Sequence, residues 1–262
     1  MDLGTIGVKH FVTFLLVLAR VGGIFTSAPM FSNNHVAVQV RVVLSVALAF
    51  VLLPFAVGQV TTVPTDALPL ATAVVKEVVV GILIGMVGLL LFTAVQVAAE
   101  IIDMQMGFGF AKIVDPMLEI QASVVAQFQN MLATLVFLVS NAHYLVLRGL
   151  ADSFTALPVG AMALGGTVVN GFSTLFGQLF VAALKIGGPI VGILLLTEIA
   201  LGVLARTVPQ LNIFVLGFPV KIIVGMLTVL LVVPMLYLAM QGLFAEMPGT
   251  IAGLVRALGG GG

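Results

Sequence analysis

The side chains best placed to do chemistry are the few ionisable ones set within apolar sequence. Glu100 and Asp103 stand three residues apart, and on a helix they would share a face. Two carboxylates so placed can share a proton or hold a cation. Arg20, Arg41, Glu77, Lys185, Glu198 and Lys221 likewise sit inside or beside long apolar runs. At the centre of a lipid-facing helix each would cost roughly 2.5–3.5 kcal/mol on insertion scales, so each needs a partner charge, a cavity or water. Two readings are open: a proton or ion pathway, or ion pairing at subunit contacts. Arg206, Pro209 and Asn212 fall in a different setting, the polar stretch Arg206-Thr-Val-Pro-Gln-Leu-Asn212. With Gly217 and Pro219 following, the spacing predicts a compact reversal over Pro209–Lys221 joining two helices. The amides of Gln210 and Asn212 would need partners if buried there, as would Lys221.

Catalytic patterns are missing. The chain has no His-Glu-x-x-His and no Gly-x-Ser-x-Gly, and Gly166 to Gly171 has the glycine spacing of a phosphate loop but continues with Phe172. Nucleotide hydrolysis is not expected, nor a cofactor. His10, His35 and His143 lie far apart on different elements, which predicts individually hydrogen-bonded side chains rather than a metal site. Cysteine is absent, so disulfides and thiolate ligands are excluded.

The elements that must position these residues are strongly apolar. Of 262 residues 61% are apolar and 8% charged, with no net charge, whereas a soluble domain carries about a quarter charged residues to face water. A cytosolic enzyme, a nucleic-acid-binding domain and a disordered tail are therefore excluded. An integral membrane protein or a subunit buried in a larger apolar assembly remains. Trp is absent and Tyr occurs only at positions 144 and 237, while Phe numbers 18 and Met 12. Membrane bundles place Trp and Tyr at the headgroup level, so their scarcity points to apolar surface that faces other subunits, and flexible Met side chains suit such contacts.

Long apolar runs lie at Phe11 to Phe31, Val42 to Val57, Leu70 to Ala99, Val124 to Leu147, Val168 to Leu204 and Ile213 to Ala239. A helix spans a bilayer with roughly 20 residues, so the fold class is all-α, polytopic, with about six to seven long helices and Pro/Gly-interrupted hairpins. The fifth run contains Gly187-Gly188-Pro189, which predicts two segments around a break; the sixth contains Pro219 and Pro234, again an interrupted helix. Such breaks should face inward, because unpaired backbone groups are not tolerated against lipid tails. Gly81-x-x-x-Gly85 and Gly188-x-x-x-Gly192 place small residues one turn apart, which lets helices approach closely. Arg20 interrupts a signal-peptide reading of the first run, so that run is expected to be a retained helix. Basic residues are spread almost one per connection and give no orientation.

Two irregular segments carry most information. One is the reversal above. The other, Asp103-Met-Gln-Met-Gly-Phe-Gly-Phe-Ala-Lys-Ile-Val-Asp-Pro116, reads as an apolar loop in which Gly107 and Gly109 allow unusual dihedrals beside Phe108 and Phe110. An inter-helix connector accounts for it as well as a special role does. With Arg20 and Pro29-Met-Phe31, Arg41 through Pro54, Glu77 through Gly81, Gln96 through Pro116, Asn141-Ala-His143 through Pro158, and Gly202 through Ile222, these residues make the chain resemble the FliR family of bacterial type III secretion export-gate subunits. Pro209-Gln-Leu-Asn212 is the most specific part. Ala37, Ala99 and Tyr144 depart from the residues common in that family.

The resemblance implies one export-gate subunit over residues 1–262, with N-terminal helices in 1–165, including the apolar loop 104–116, and a broken-helix hairpin region in 166–262. It implies assembly with FliP-type and FliQ-type subunits and a FlhB-type subunit, in the bacterial inner membrane at the flagellar basal body, with much of the subunit above the membrane plane. Unfolded flagellar or virulence-system proteins would pass through the pore, and nucleic acid is not a partner. It further implies that Met106, Gly107, Phe108, Gly109, Phe110, Ala111, Asp115 and Pro116 plug the closed pore. Arg20, Glu100, Asp103, Lys185, Glu198, Arg206, Pro209, Asn212 and Lys221 are then candidates for assembly contacts or buried charges. A secondary transporter with broken helices is the competing class; an intramembrane enzyme lacks every nucleophile and metal pattern sought.

Overall fold

The computed structural model describes residues 3–29, 37–57, 66–108, 124–162, 166–208, 210 and 212–259. Among them are eight α-helices and no strand: α1 (Leu3–Ser27), α2 (Val38–Val57), α3 (Ala67–Met106), α4 (Val124–Val139), α5 (Ala142–Ala156), α6 (Gly166–Thr207), α7 (Ile213–Ala245) and α8 (Met247–Leu258). Five helical stretches are long and apolar enough to cross a membrane, and α4 with α5 makes a sixth candidate.

The helices belong to two compact units. The first comprises 1–90, 141–177 and 245–262, the second 91–140 and 178–244. In the first, α1 buries Val12, Leu16, Val17, Val21, Ile24 and Phe25, a stripe at three- and four-residue spacing that forms one helical face. Phe14 meets Phe50 of α2 at a ring-centre distance of 4.7 Å. The α1–α3 contact is made at backbone level. A Cβ on Gly81 would collide with the Arg20 carbonyl oxygen, and one on Gly23 would lie 2.5 Å from the Val78 oxygen. Glycine at these points allows the close approach that the small-residue spacing predicts. Helix α8 packs Ile251 against Gly149 of α5, and its buried Met247, Ile251, Leu254, Val255 and Leu258 again form one face.

In the second unit, α4 buries Val125, Ala126, Gln129, Ala133, Val136 and Phe137. Phe137 meets Phe244 edge to face at 5.3 Å, and Phe92 lies 5.5 Å and 5.4 Å from Phe137 and Phe244. Three aromatic rings thus tie α3, α4 and α7 together.

Several expected interruptions are not breaks. The fifth run forms one helix of 42 residues straight through Pro189, and α7 runs 33 residues through Pro219 and Pro234. Pro54 is similarly inside α2. A proline removes the hydrogen bond to the carbonyl four residues back. Those residues are Phe50, Lys185, Val215 and Leu230, and each is exposed in this chain. The prolines are therefore accommodated on the outer side of continuous helices, not turned inward. Gly188 and Gly192 likewise have nothing within 4 Å of an added Cβ, so that pair packs against no helix among the described residues.

Candidate functional site

Polar chemistry gathers at one place in each unit. In the first, Arg20 of α1 is fully buried, with its guanidinium 4.4 Å above the Phe154 ring. Its Nε donates to Glu77 Oε2 of α3 at 2.5 Å and its Nη2 to Glu77 Oε1 at 3.2 Å, a two-pronged pairing. Nη2 also donates to the Leu157 carbonyl at 3.1 Å, and Nη1 to Ser153 Oγ at 3.1 Å. Glu77 Oε1 accepts a further bond from the Gly160 N–H at 2.8 Å, in a turn where Gly160 has φ 84°. One buried ion pair thus joins α1, α3, α5 and the turn after α5, and its remaining donors and acceptors find backbone and hydroxyl partners. The arrangement is closed and holds no free group for catalysis.

In the second unit the corresponding place is the C-terminal end of α3. The helix extends to Met106, so Asp103 to Met106 are its last turn and not the start of a loop. Glycine ends it. The Gly107 N–H donates to the Asp103 and Met104 carbonyls at 3.1 and 3.2 Å, and Gly107 adopts φ 96°, a left-handed cap that side-chain-bearing residues adopt at a cost. The Phe218 ring of α7 covers this glycine: an added Cβ would lie 2.5 Å from Phe218 Cδ1. Two turns further along α7, Gly225 forms a notch filled by Met106, whose Cγ, Sδ and Cε would stand 2.7–2.9 Å from a Cβ there. Met106 is fully buried.

Beside these apolar contacts runs a polar ladder across three helices. Lys221 Nζ of α7 pairs with Glu198 Oε1 of α6 at 3.0 Å, and Gln105 Nε2 of α3 donates to Glu198 Oε2 at 3.0 Å. Lys221 is largely covered and Glu198 is half exposed, with side-chain exposures of 17% and 54%.

The other sequence-selected residues scatter. Glu100 is exposed and accepts a bond from Gln96 Nε2 at 3.1 Å, whereas Asp103 is buried at 5% exposure. Three residues apart on one helix, the two carboxylates thus differ in burial. Lys185 and Arg206 are exposed on α6. Asn212 is exposed and caps α7, its Oδ1 accepting from the Val215 N–H at 3.4 Å. The reversal is consequently shorter than expected, because α6 ends at Thr207 and α7 begins at Ile213, leaving 213–221 helical. Pro209, Gly109, Phe110, Ala111, Asp115 and Pro116 lie outside the described residues, as does His35; Phe108 is half-buried. Among the described residues no cluster of three or more His, Asp or Glu side chains could hold a metal. Phe218, Gly225 and Gln105 were not singled out from the sequence. Phe218 between Gly217 and Pro219 was the available signal for the first.

The chain matches the family described as bacterial export proteins, family 1, over residues 11–247. It is 31% identical to the flagellar biosynthetic protein FliR of Bacillus subtilis (strain 168) over 252 residues, covering 95% of this chain and 96% of that protein. With the flagellar biosynthetic protein FliR of Escherichia coli (strain K12) it shares 32% over 246 residues, 92% of each chain. With that of Pectobacterium carotovorum subsp. carotovorum it shares 31% over 245 residues, 94% of this chain and 93% of the relative. Matched over most of its length with such relatives and built of long apolar helices, the chain belongs to the FliR family of bacterial export proteins and is a membrane protein of flagellar biosynthesis.

Proposed function

We propose that the chain is a structural, non-catalytic subunit of the type III export gate, lining part of the pore through which unfolded flagellar or virulence-system proteins leave the cell. It assembles with FliP-type and FliQ-type subunits and with a FlhB-type subunit at the basal body in the inner membrane. The observation that carries this reading is the outward placement of its helix irregularities. Phe50, Lys185, Val215 and Leu230, whose carbonyls lose their helical partners to proline, are all exposed in the single chain. Against lipid tails such groups cost several kcal/mol each, roughly, while against protein they can be paired. Phe180, Leu184, Leu196, Leu231 and Leu238 of α6 and α7 are exposed as well, so the surface to be covered there is both apolar and locally hydrogen-bonding.

Met106 to Pro116 serves, in this reading, as the plug of the resting pore, and Arg20, Glu100, Asp103, Lys185, Glu198, Arg206, Pro209, Asn212 and Lys221 serve as assembly contacts or buried charges. Affinity purification of the tagged chain after co-expression with candidate partners tests it. Co-purification of FliP-type and FliQ-type subunits in one monodisperse complex is expected. A stable monomer or homo-oligomer that gains nothing from them and binds a small solute would favour a transporter instead.

A further inference from the structure

We propose that the outer face of α6 around Lys185 docks an apolar helix of a partner subunit, and that this helix sets a carboxylate against the Lys185 ammonium. The proposal rests on the export-gate reading above and gives one contact of that assembly its chemistry. Within the second unit α6 has two opposite faces. Leu179, Ala183, Ile186, Ile190 and Leu194 are buried, at three- and four-residue spacing. Val181, Lys185, Gly188, Gly192, Leu196 and Ile199 recur at the same spacing on the other side, all exposed except the half-buried Gly192. The Lys185 ammonium makes no hydrogen bond or ion pair among the described residues. Carboxylates of its own unit are engaged elsewhere. Helix α3 lies beside α6, since an added Cβ on Gly187 would stand 3.4 Å from the Ala98 carbonyl oxygen. Yet Glu100, two residues beyond that contact, is bonded to Gln96, and Glu198 is held by Lys221 and Gln105.

Lipid alone does not complete this face in any register. The apolar stretch Gly171–Thr207 has 37 residues, about 55 Å of helix against a hydrocarbon layer of about 30 Å. Lys185 stands about 21 Å from one end and 33 Å from the other. Set inside the layer, its charge needs an anion. Set at the edge of the layer, it strands either Phe180, Val181 and Leu184 or Leu196 and Ile199 outside the lipid, and those exposed side chains then need a protein cover. The two glycines favour a helix as that cover. An added Cβ on Gly188 or Gly192 meets nothing within 4 Å, whereas Gly81 and Gly85, at the same spacing, admit α1 to close contact in the first unit. A carboxylate is the anion that such a helix can carry on a side chain, and it pairs with an ammonium in an apolar contact without leaving net charge.

The test purifies the tagged chain after co-expression with FliP-type and FliQ-type subunits. Lys185→Glu and Gly188→Leu are expected to lower the yield of complex several-fold, and Lys185→Arg to keep it. Both positions are exposed, so the unfolding temperature of the chain alone in detergent is expected to stay at the wild-type value. Dicyclohexylcarbodiimide, which enters apolar sites, condenses an ammonium and a carboxylate in contact to an amide and takes up the water lost. Peptide mass spectrometry of the treated wild-type complex is expected to find Lys185 joined to an Asp or Glu of a co-purifying subunit. That product should be absent from the Lys185→Arg complex. Should either yield variant destabilise the chain alone, the cross-link decides. A complex that forms equally with Lys185→Glu and Gly188→Leu means that lipid covers this face, and the proposal falls while the export-gate reading stands. Loss of yield without the cross-link means that no carboxylate faces Lys185, which also overturns it. A wild-type chain that draws in neither type of subunit overturns the export-gate reading, and this contact with it.

Discussion

The two units solve the same problem, a charge pair in an apolar chain, in opposite ways. Arg20–Glu77 is sealed, with side-chain exposures of 0% and 1% and five hydrogen bonds distributed over three helices and a turn. Lys221–Glu198 is left partly open, at 17% and 54%, with one neighbouring amide. The same contrast holds for glycine. Gly81 and Gly85 lie against backbone or side-chain atoms of α1, whereas Gly188 and Gly192, at identical spacing, face open space. A sealed pair with tight helix contact fixes one arrangement within the chain. An open pair with unfilled small-residue surface leaves contacts to be completed by something outside it.

The sealed pair offers the largest effect. Removing one member of a buried pair strands the other charge and costs about 3–5 kcal/mol, whereas removing both can be close to neutral. Arg20→Met or Glu77→Met is therefore expected to abolish recovery of folded protein from detergent extracts. The double variant Arg20→Met/Glu77→Met should recover more than either. The comparison is read by thermal unfolding of the purified chain or complex. Equal loss in single and double variants would show that the hydrogen bonds to Leu157, Ser153 and Gly160 matter more than the charge pairing.

How much of this was legible beforehand depends on the kind of signal. The all-helical fold followed from run length and composition, because few charges and long apolar stretches admit few other structures. Arg20 and Glu77 stood out because a charge is conspicuous in apolar sequence; that Gly160 completes the site did not, since the bond joins residues 83 apart in sequence. Pro189 was misread as a break. Proline disfavours a helix locally, but it removes only one hydrogen bond from a helix of 42 residues. Glu100 and Asp103 show the limit of spacing arguments, because residues on adjacent edges of one face can differ completely in burial. Phe218 and Gly225 were hidden for the opposite reason: a Phe and a Gly among Val and Leu carry no contrast.

The open pair should respond less in the isolated chain and more in the assembly. Because Glu198 is half exposed, losing its partner there is worth about 1 kcal/mol or less. Lys221→Glu sets two carboxylates where a pair stood at 3.0 Å, and like charges in contact repel. It is expected to lower the yield of the assembled complex severely while Arg256→Glu, at an exposed position of α8, leaves yield and export unchanged. Equal yields would show that the α6–α7 bridge is not used in assembly. Gly225→Ala ranks next. Its added methyl enters the space of three Met106 atoms, but a flexible thioether can give way, so a loss of roughly 1 kcal/mol is expected in unfolding experiments.

The smallest effect is expected from an exposed ion pair on α5. Arg148 and Asp152 stand one turn apart on α5 with Nε to Oδ2 at 3.9 Å, and both are well exposed, at 65% and 71%. At that distance and exposure water screens the attraction, and holding two side chains together costs rotamer entropy, so pairs of this type contribute about 0.3–0.5 kcal/mol at most. Arg148→Ala should leave the unfolding temperature nearly unchanged at low and high salt alike. A marked destabilisation that salt does not reduce would mean that Arg148 contributes through its aliphatic stem packed on apolar surface. A marked loss of assembled complex with unchanged chain stability would mean that α5, although it carries the Ser153 and Phe154 contacts to Arg20, also presents an outer face to a partner. The unit that holds the sealed pair would then present a partner surface on α5 as well.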